Sequence, residues 1–224
     1  MRKDIIVVHS GGMDSSLCLA LAIKDFGKNN VLSLSFDYKH RHQNELDHAA
    51  LICSDWSVDH TVVELACLSQ ITKDALTDPD MAITHAEGGP PNTLVAGRNG
   101  LMARLAAIHA NSLGAGAISM GVIEVEAANS GYRDCSRSYM DLMQKILRID
   151  LADPDFKILT PIIDMNKTQT LELARSLGIL DYLLKNTVTC YNGLPCRGCR
   201  KCPACRLRNE GLDAYLKANP DFIS

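Results

Sequence analysis

Short apolar runs alternate along the chain with longer segments in which apolar residues recur at helical spacing. The apolar runs predict strands at 5–8, 31–36, 61–65, 117–122 and 157–163. The segments between and after them predict helices at 15–26, 43–53, 100–113, 139–151 and 167–177, the last of which ends before Gly178. Strands and helices that alternate in this way are typical of an α/β fold. We therefore expect a doubly wound, mostly parallel five-stranded sheet with helices on both faces.

Two stretches depart from this alternation. The segment 77–92 contains adjacent glycines and adjacent prolines, so it predicts a long surface loop, and loops of this length are often functional lids. The composition changes after about residue 185, where cysteines become frequent. We expect residues 1–185 to form the α/β domain. We expect residues 186–224 to form a small C-terminal metal-binding segment, with a terminal helix packed on the same domain.

Composition and charge narrow the class of protein. The chain has 224 residues, of which 46% are hydrophobic and 22% are charged, as is ordinary for a globular protein with one core. The net charge of −3 gives no overall positive field that would attract nucleic acid, so we do not expect a nucleic-acid partner. The apolar run 5–8 is too short for a signal-peptide core or a membrane span. We expect a cytoplasmic protein with no membrane attachment.

A polar loop with two adjacent glycines follows the first predicted strand and leads into the first predicted helix. From His9 to Ser16 it reads His-Ser-Gly-Gly-Met-Asp-Ser-Ser. Adjacent glycines let backbone N–H groups approach an anion, and a helix N-terminus adds unpaired donors and partial positive charge. The loop lacks the lysine that loops for γ-phosphate transfer carry. It therefore predicts a phosphate-binding site of another type.

Nine cysteines need an explanation other than disulfide bonds, because the cytosol keeps thiols reduced. Cys18, Cys53 and Cys67 lie among apolar neighbours and are interpreted as small buried side chains. Five further cysteines lie within sixteen residues of one another: Cys190, Cys196, Cys199, Cys202 and Cys205. Cys-x-x-Cys spacing suits a tetrahedral ion, and zinc is the commoner choice over an iron–sulfur cluster. From spacing alone, Cys196 is as acceptable a ligand as Cys190.

The loop and the cysteines together resemble one family. Ser-Gly-Gly-x-Asp-Ser at 10–15 is similar to the signature of the PP-loop ATP pyrophosphatases, which split ATP between the α and β phosphates. With the C-terminal pattern Cys-x8-Cys-x2-Cys-x2-Cys, the chain resembles the 7-cyano-7-deazaguanine synthase family. The segments that carry the likeness are 37–46, 98–99, 130–135, 160–162, 167 and 190–193. The chain departs from the family pattern at Gly97, Arg133 and Ser136.

The resemblance implies a fold, a reaction and a set of cofactors. The fold is adenine nucleotide alpha hydrolase-like, in a homodimer. The reaction is an ATP-dependent ligation that converts 7-carboxy-7-deazaguanine and ammonia to 7-cyano-7-deazaguanine (preQ0), in queuosine precursor biosynthesis. It passes through an adenylated carboxylate and an adenylated amide. The implied cofactors are ATP, Mg²⁺ and Zn²⁺.

The resemblance also assigns roles to individual residues. The implied ATP-binding residues are His9, Ser10, Gly11, Gly12, Met13, Asp14, Ser15 and Ser16. The implied catalytic residues are Asp14, Arg98 and Lys167, and the implied substrate-binding residues are Arg98, Asn99, Tyr132 and Asp134. The implied zinc ligands are Cys190, Cys199, Cys202 and Cys205, and a closed set of four thiolates predicts a structural role. His42 and Glu45, one helical turn apart, form a candidate pair for proton transfer.

Two other functions stay open at this point. One is a PP-loop adenylating enzyme with a different acceptor, such as an amidating ligase or a tRNA-modifying enzyme. The net charge of −3 disfavours a surface for tRNA. The other is a non-catalytic zinc module that binds nucleic acid through the basic residues among the cysteines, and the carboxylate of Asp14 within the loop disfavours it. Those basic residues are Arg197, Arg200, Lys201, Arg206 and Arg208.

Overall fold

The computed structural model describes residues 2–38, 43–76, 78, 80–84, 91–124, 131–194 and 196–222. Its strands are β1 (Ile5–Val8), β2 (Val31–Asp37), β3 (Asp59–Glu64), β4 (Ala117–Met120) and β5 (Lys157–Leu159). Within the described residues these five strands form one sheet in the order β3-β2-β1-β4-β5, and every pairing is parallel. The predicted parallel five-stranded sheet is confirmed.

Helices connect the strands and cover the sheet. They are α1 (Met13–Phe26), α2 (Gln43–Trp56), α3 (Leu68–Ile71), α4 (Arg98–Leu113), α5 (Arg137–Asp150), α6 (Lys167–Ser176), α7 (Leu180–Asn186) and α8 (Pro203–Ala218). Short 3₁₀ turns at Lys28–Asn30 and Arg133–Cys135 precede β2 and α5. The terminal helix expected after the cysteines is therefore α8.

Two apolar clusters pack against opposite faces of the sheet, with β1 at its centre. Ile5 and Val7 belong to the cluster that includes residues of α1 and α6–α8, whereas Ile6 belongs to the cluster that includes α4. All three side chains are fully buried, as expected for a central strand covered on both faces. On α4, the fully buried alanines at i, i+3, i+4 and i+7 let that helix lie close to the strands. The doubly wound arrangement is thus confirmed.

The strands end earlier than the apolar runs that predict them. β4 ends at Met120, not at residue 122, because Gly121 passes close to the first turn of α1. β5 ends at Leu159, not at residue 163, because Thr160 and Pro161 start a turn and proline lacks the N–H that a strand needs. The apolar residues beyond these ends remain buried, which is why hydrophobicity alone places the boundaries too late.

The helices α3 and α7 are absent from the sequence-based expectation. α3 has four residues, and α7 has seven and follows α6 after Gly178. Both are too short to show a clear helical period. The predicted start of α6 at Lys167 is confirmed, because Asn166 and Gln169 form a reciprocal capping box there.

The C-terminal part of the chain packs on the sheet domain. α8 contacts α6, where Gly211 lies so close to Lys167 that a methyl group at position 211 would overlap the Cβ of Lys167. The division at residues 185 and 186 stays a prediction. Parts of the expected loop 77–92 lie outside the described residues; in the rest, Asn92 bonds to Thr84 N and Ala82 O. Among the described helices, none combines the length and apolarity that a bilayer crossing requires.

Candidate active site and metal centre

The loop between β1 and α1 has a backbone conformation that requires glycine at position 11. Gly11 has a φ of +78°, and a Cβ there would overlap the carbonyl oxygen of Glu45 and lie 2.9 Å from Ala49 N. Gly12 is the N-cap residue of α1 in an extended conformation. The loop is therefore held against α2, and the first N–H groups of α1 remain for a ligand.

Serine hydroxyls bridge the two ends of the loop. Ser10 N donates to Ser15 Oγ at 3.1 Å, and Ser15 Oγ donates to Gly12 O at 3.1 Å. The hydroxyls of Ser10 and Ser15 lie 3.1 Å apart. These bonds close the turn on itself, so its shape is set before any ligand arrives.

His9 lies beneath the loop and is 1% exposed. Its Nε2 is 3.0 Å from Ser16 Oγ, and its Nδ1 is 3.0 Å from Ser33 Oγ. Ser16 Oγ donates its own proton to Gly12 O at 2.8 Å, so it accepts from Nε2–H of the histidine. Burial, with a smaller contribution from His60, lowers the pKa of His9 to about 3. His9 is therefore neutral and supports the N-cap carbonyl through Ser16.

An ion pair joins the loop to the start of α6. Lys167 Nζ donates to Asp14 Oδ2 at 2.5 Å, with side chains 9% and 23% exposed respectively. The other carboxylate oxygen, Asp14 Oδ1, is buried and has no hydrogen-bond partner among the described residues. Such a carboxylate oxygen beside the glycine loop is the type of ligand that Mg²⁺ prefers. The predicted catalytic residues Asp14 and Lys167 are thus in direct contact, although 153 positions separate them in sequence.

A cavity of about 310 Å³ opens at the carboxyl edge of the sheet. At one end it is lined by His9, Ser10, Gly12, Met13, Asp14, Ser15 and Lys167. At the other end it is lined by Tyr38, Arg98, Asn99, Tyr132, Cys135 and Tyr191. Residues of α8 close one side. Most of the predicted site residues therefore share one space, whereas Gly11 and Ser16 lie behind its wall.

Arg98 starts α4 after Gly97, which has a φ of +71°. Desolvation lowers the pKa of Arg98, but the phenols of Tyr38, Tyr191 and Tyr132 and the carboxylate of Asp134 more than offset it, and the pKa is raised overall. Arg98 therefore keeps its charge within a ring of tyrosines. A permanent cation in the wall of this cavity suits an anionic ligand group.

Asp134 supports the arginine end from behind. Its Oδ2 accepts from Asn99 N at 2.9 Å, its Oδ1 is buried with no partner in the described part of the chain, and it does not line the cavity. Asn99 Nδ2 donates to Cys135 Sγ at 3.2 Å. Burial raises the pKa of Cys135 to about 12, so this residue is a thiol and not a nucleophilic thiolate. The roles assigned to Asn99, Tyr132 and Asp134 stay predictions.

The sequence analysis assigns no role to several residues in or next to the site. Tyr191 and Thr93 are examples: Thr93 Oγ1 lies 2.6 Å from Tyr132 OH, and burial raises the pKa of Tyr191 well above its usual value. Tyr191 directly follows the predicted metal ligand Cys190, and this adjacency is the sequence signal that could have identified Tyr191 as a site residue. His42 lies outside the described residues, so the proposed His42–Glu45 pair stays a prediction; Glu45 lines the cavity.

Four cysteines form a compact cluster next to this cavity. The sulfur atoms of Cys190, Cys199, Cys202 and Cys205 all lie within 4.8 Å of one another. Cys196 is exposed and outside the cluster, so the geometry decides between the two candidate first ligands in favour of Cys190. Gly198, with a φ of +61°, leaves room for the cluster, since a Cβ there would lie 2.9 Å from Cys190 Cβ and would overlap Cys205 Sγ. Four sulfurs at this separation fit one tetrahedral metal ion.

A family comparison agrees with this combination of loop and cysteine cluster. Residues 4–216 match the family described as "Queuosine biosynthesis protein QueC". The chain belongs to the QueC family. The matched region contains the glycine loop, Arg98, Lys167 and all four clustered cysteines, so the QueC family match covers every part of the site described above.

Solved structures share the fold of this QueC family member. The NH3-dependent NAD synthetase from Campylobacter jejuni subsp. jejuni NCTC 11168 has a TM-score of 0.51 and 17% identity, over 83% of this chain and 68% of that chain. The NMN synthetase from Francisella tularensis has a TM-score of 0.50 and 14% identity, over 100% and 79%. The U34-tRNA thiolase NcsA from Methanococcus maripaludis, with its 4Fe-4S cluster, has a TM-score of 0.52 and 14% identity, over 98% and 68%.

Proposed function

We propose that this protein converts 7-carboxy-7-deazaguanine and ammonia to 7-cyano-7-deazaguanine, and that two ATP molecules yield two AMP and two pyrophosphate. Membership of the QueC family supports this reaction. The observation that carries the proposal is the single cavity of about 310 Å³, which joins the glycine loop to Arg98. A nucleotide and a small anionic acceptor meet in that space, as transfer of AMP to an acid requires.

The chemistry explains why ATP is used twice. A carboxylate is anionic and has a poor leaving group, so ammonia does not attack it. Attack of the carboxylate oxygen on the α-phosphorus of ATP forms an acyl adenylate and releases pyrophosphate, and ammonia then displaces AMP to give an amide. The amide oxygen attacks a second ATP, and loss of AMP and a proton leaves the nitrile. Both rounds are attack of oxygen on the same phosphorus, so one cavity serves both.

We assign the nucleotide to the glycine-loop end. The N–H groups at the start of α1 and the hydroxyls of Ser10 and Ser15 bind the β and γ phosphates. Lys167 stabilises the negative charge that develops on the departing pyrophosphate. Asp14, whose Oδ1 is buried, would hold Mg²⁺, and the ion would supply further charge neutralisation.

We assign the acceptor to the arginine end. Arg98 pairs with the carboxylate and orients its oxygen toward the α-phosphorus, while Asn99 and Tyr132 contact the deazaguanine ring. Asp134 acts indirectly: it accepts a hydrogen bond from Asn99 N and so fixes the position of Asn99. The three departures from the family pattern do not oppose this acceptor, because none of Gly97, Arg133 and Ser136 lines the cavity.

The four-cysteine cluster is proposed to hold zinc in a structural role, because four thiolates complete its coordination. Zinc bound there would cross-link the segment before α8 with the start of that helix. The resemblance also supports a homodimer and a cytoplasmic location, and both stay proposals.

One product analysis tests the function. Purified protein is incubated with α-labelled Mg-ATP, ammonium and 7-carboxy-7-deazaguanine, and the products are identified by mass spectrometry. We expect the nitrile together with labelled AMP. AMP that forms only with another acceptor would redirect the substrate assignment, and labelled ADP would overturn the whole mechanism. Lys167→Met is expected to lower turnover about 100-fold or more, whereas Lys157→Met, at an exposed lysine of β5, leaves it unchanged.

A further inference from the structure

A buried arginine lies between the cysteine cluster and the glycine loop. Arg208 is on α8, three residues after Cys205, and is 4% exposed. Its guanidinium donates to Thr187 O at 3.2 Å, to Thr189 Oγ1 at 3.2 Å and to Leu184 O at 3.2 Å. All three acceptors belong to the segment from the end of α7 to Cys190. One side chain therefore fastens that segment to α8.

The same segment is bound to the glycine loop on its other side. Val188 N donates to Gly11 O at 3.2 Å. A methyl group at Gly12 would lie 3.5 Å from Val188 O, and both Val188 and Thr189 line the cavity. The next residue is the clustered Cys190. The segment is thus bonded to the glycine loop at Val188 and ends at the cysteine cluster, and Arg208 binds it on both sides of Val188.

The charge of Arg208 also lies between the two sites. Its guanidinium donates to two carbonyl oxygens and one hydroxyl of this segment, which are neutral acceptors. Burial lowers the pKa of Arg208, and Asp14 and Cys205 act in the opposite direction. The guanidinium therefore interacts electrostatically with both the glycine loop and the cysteine cluster. A buried cation held by neutral acceptors is costly to displace, because its replacement leaves several acceptors unpaired at once.

We propose that Arg208 is a positioning residue that links the metal centre to the nucleotide-binding loop. Arg208 fixes the position of the segment 184–189, so that Val188 N can donate to Gly11 O. The metal in turn fixes the start of α8, the helix that carries Arg208. Bound nucleotide and bound metal then stabilise the same arrangement, and coupling between two binding events is reciprocal. The proposal rests on the proposed function only in taking ATP as the ligand of the loop.

Zinc release measures this coupling without any catalysis. Zinc-loaded protein is mixed with an excess of a coloured chelator, with and without saturating Mg-ATP, and the release rate is followed by absorbance. We expect ATP to slow zinc release from the wild type about fivefold or more. In Arg208→Met, which loses all three hydrogen bonds, we expect ATP to change the rate less than twofold. Calorimetric titration of ATP is run on the same samples.

A matched control comes from another arginine close to the cysteine cluster. Arg197 pairs with Asp213 at 2.7 Å in a partly exposed position near the cysteines. Arg197→Met is therefore expected to keep the full effect of ATP on zinc release. If Arg208→Met does not fold, as judged by circular dichroism, Arg208→Lys is used, and its single ammonium is expected to retain less than half of the effect.

The outcomes separate this proposal from the proposed function. ATP that binds to the wild type without slowing zinc release overturns the linkage and leaves the function standing. An unchanged fivefold effect in the Arg208 variants assigns the linkage to other residues and overturns the role of Arg208. A wild type that shows no calorimetric binding of ATP overturns both proposals.

Discussion

At the scale of single residues, His9 controls both the shape of the loop and the response to acid. The neutral ring donates from Nε2 to Ser16, which in turn holds the carbonyl of Gly12. Its pKa of about 3 in the folded chain lies far below the ordinary value of 6.5. Between these values the unfolded chain binds a proton that the folded chain does not. His9 therefore stabilises the fold above pH 6.5 and loses that contribution as the pH falls.

We predict that unfolding becomes easier by about 1.4 kcal/mol per pH unit through His9 alone, over the range from pH 6.5 toward pH 3. Urea unfolding at a series of pH values measures the slope. His9→Gln keeps a polar side chain but removes the titration, so its slope is expected to be shallower. Identical slopes in both proteins would show that His9 is protonated in the folded state.

Gly121 offers a second test at the same scale, because it sets the distance between β4 and the glycine loop. A Cβ at this position would lie 2.9 Å from Ser15 N and 3.0 Å from the carbonyl carbon of Asp14, which are backbone atoms that cannot turn aside. Gly121→Ala is predicted to weaken ATP binding at least tenfold in calorimetric titration, since it displaces the phosphate contacts. Gly116→Ala is the matched control, because a Cβ at Gly116 meets no atom within 4 Å. Equal affinity in the two variants would contradict the prediction.

At the scale of elements, the cysteine cluster and α8 act as one unit. Cys202 is the N-cap residue of α8 and Cys205 lies in its first turn, so a bound metal fixes where the helix begins. Gly211, two turns later, admits the backbone of α8 close to Lys167. A metal bound by the cysteine cluster would therefore fix the direction of α8. That direction brings Gly211 against Lys167, the lysine of the ion pair.

Removal of one ligand tests the structural role of the metal. Cys202→Ala is predicted to bind less zinc and to lose several kcal/mol of unfolding free energy, because metal-binding energy contributes to folding. Zinc content and the melting temperature are measured together. Cys196→Ala removes an exposed thiol outside the cluster and is expected to match the wild type. Should Cys202→Ala melt like the wild type while turnover alone falls, the metal would serve the chemistry and not the fold.

The elements also show what the sequence alone could and could not predict. The order of strands and helices follows from alternating apolar runs, because a parallel sheet covered on both faces requires such runs. The end of β4 did not follow, since it depends on how closely Gly121 approaches α1. The choice between Cys190 and Cys196 also needed three dimensions: both spacings allow a ligand, and only the turn at Gly198 brings Cys190 to the cluster.

At the scale of the whole molecule, the cavity is assembled from distant parts of the chain. Asp14 and Lys167 were each predicted as catalytic residues from the family resemblance, but their direct contact, at the edge of the sheet where loops after parallel strands meet, is seen only in the structure. The wall contributed by α8 and the support from Arg208 were not predicted. An arginine among cysteines is usually a solvated charge, and nothing in its immediate sequence distinguishes Arg208 from Arg197. Their separate environments, one buried against α7 and one partly exposed beside Asp213, arise only when α8 packs on α6.

The wall that α8 contributes to the cavity has a consequence for synthesis on the ribosome. The glycine loop leaves the exit tunnel early, whereas Lys167, Arg208 and the last metal ligand are made more than 150 positions later. A nascent chain that has not yet reached α8 therefore lacks one wall of the cavity. That wall forms only after α8 has emerged and packed on α6, so the order of synthesis delays completion of the cavity.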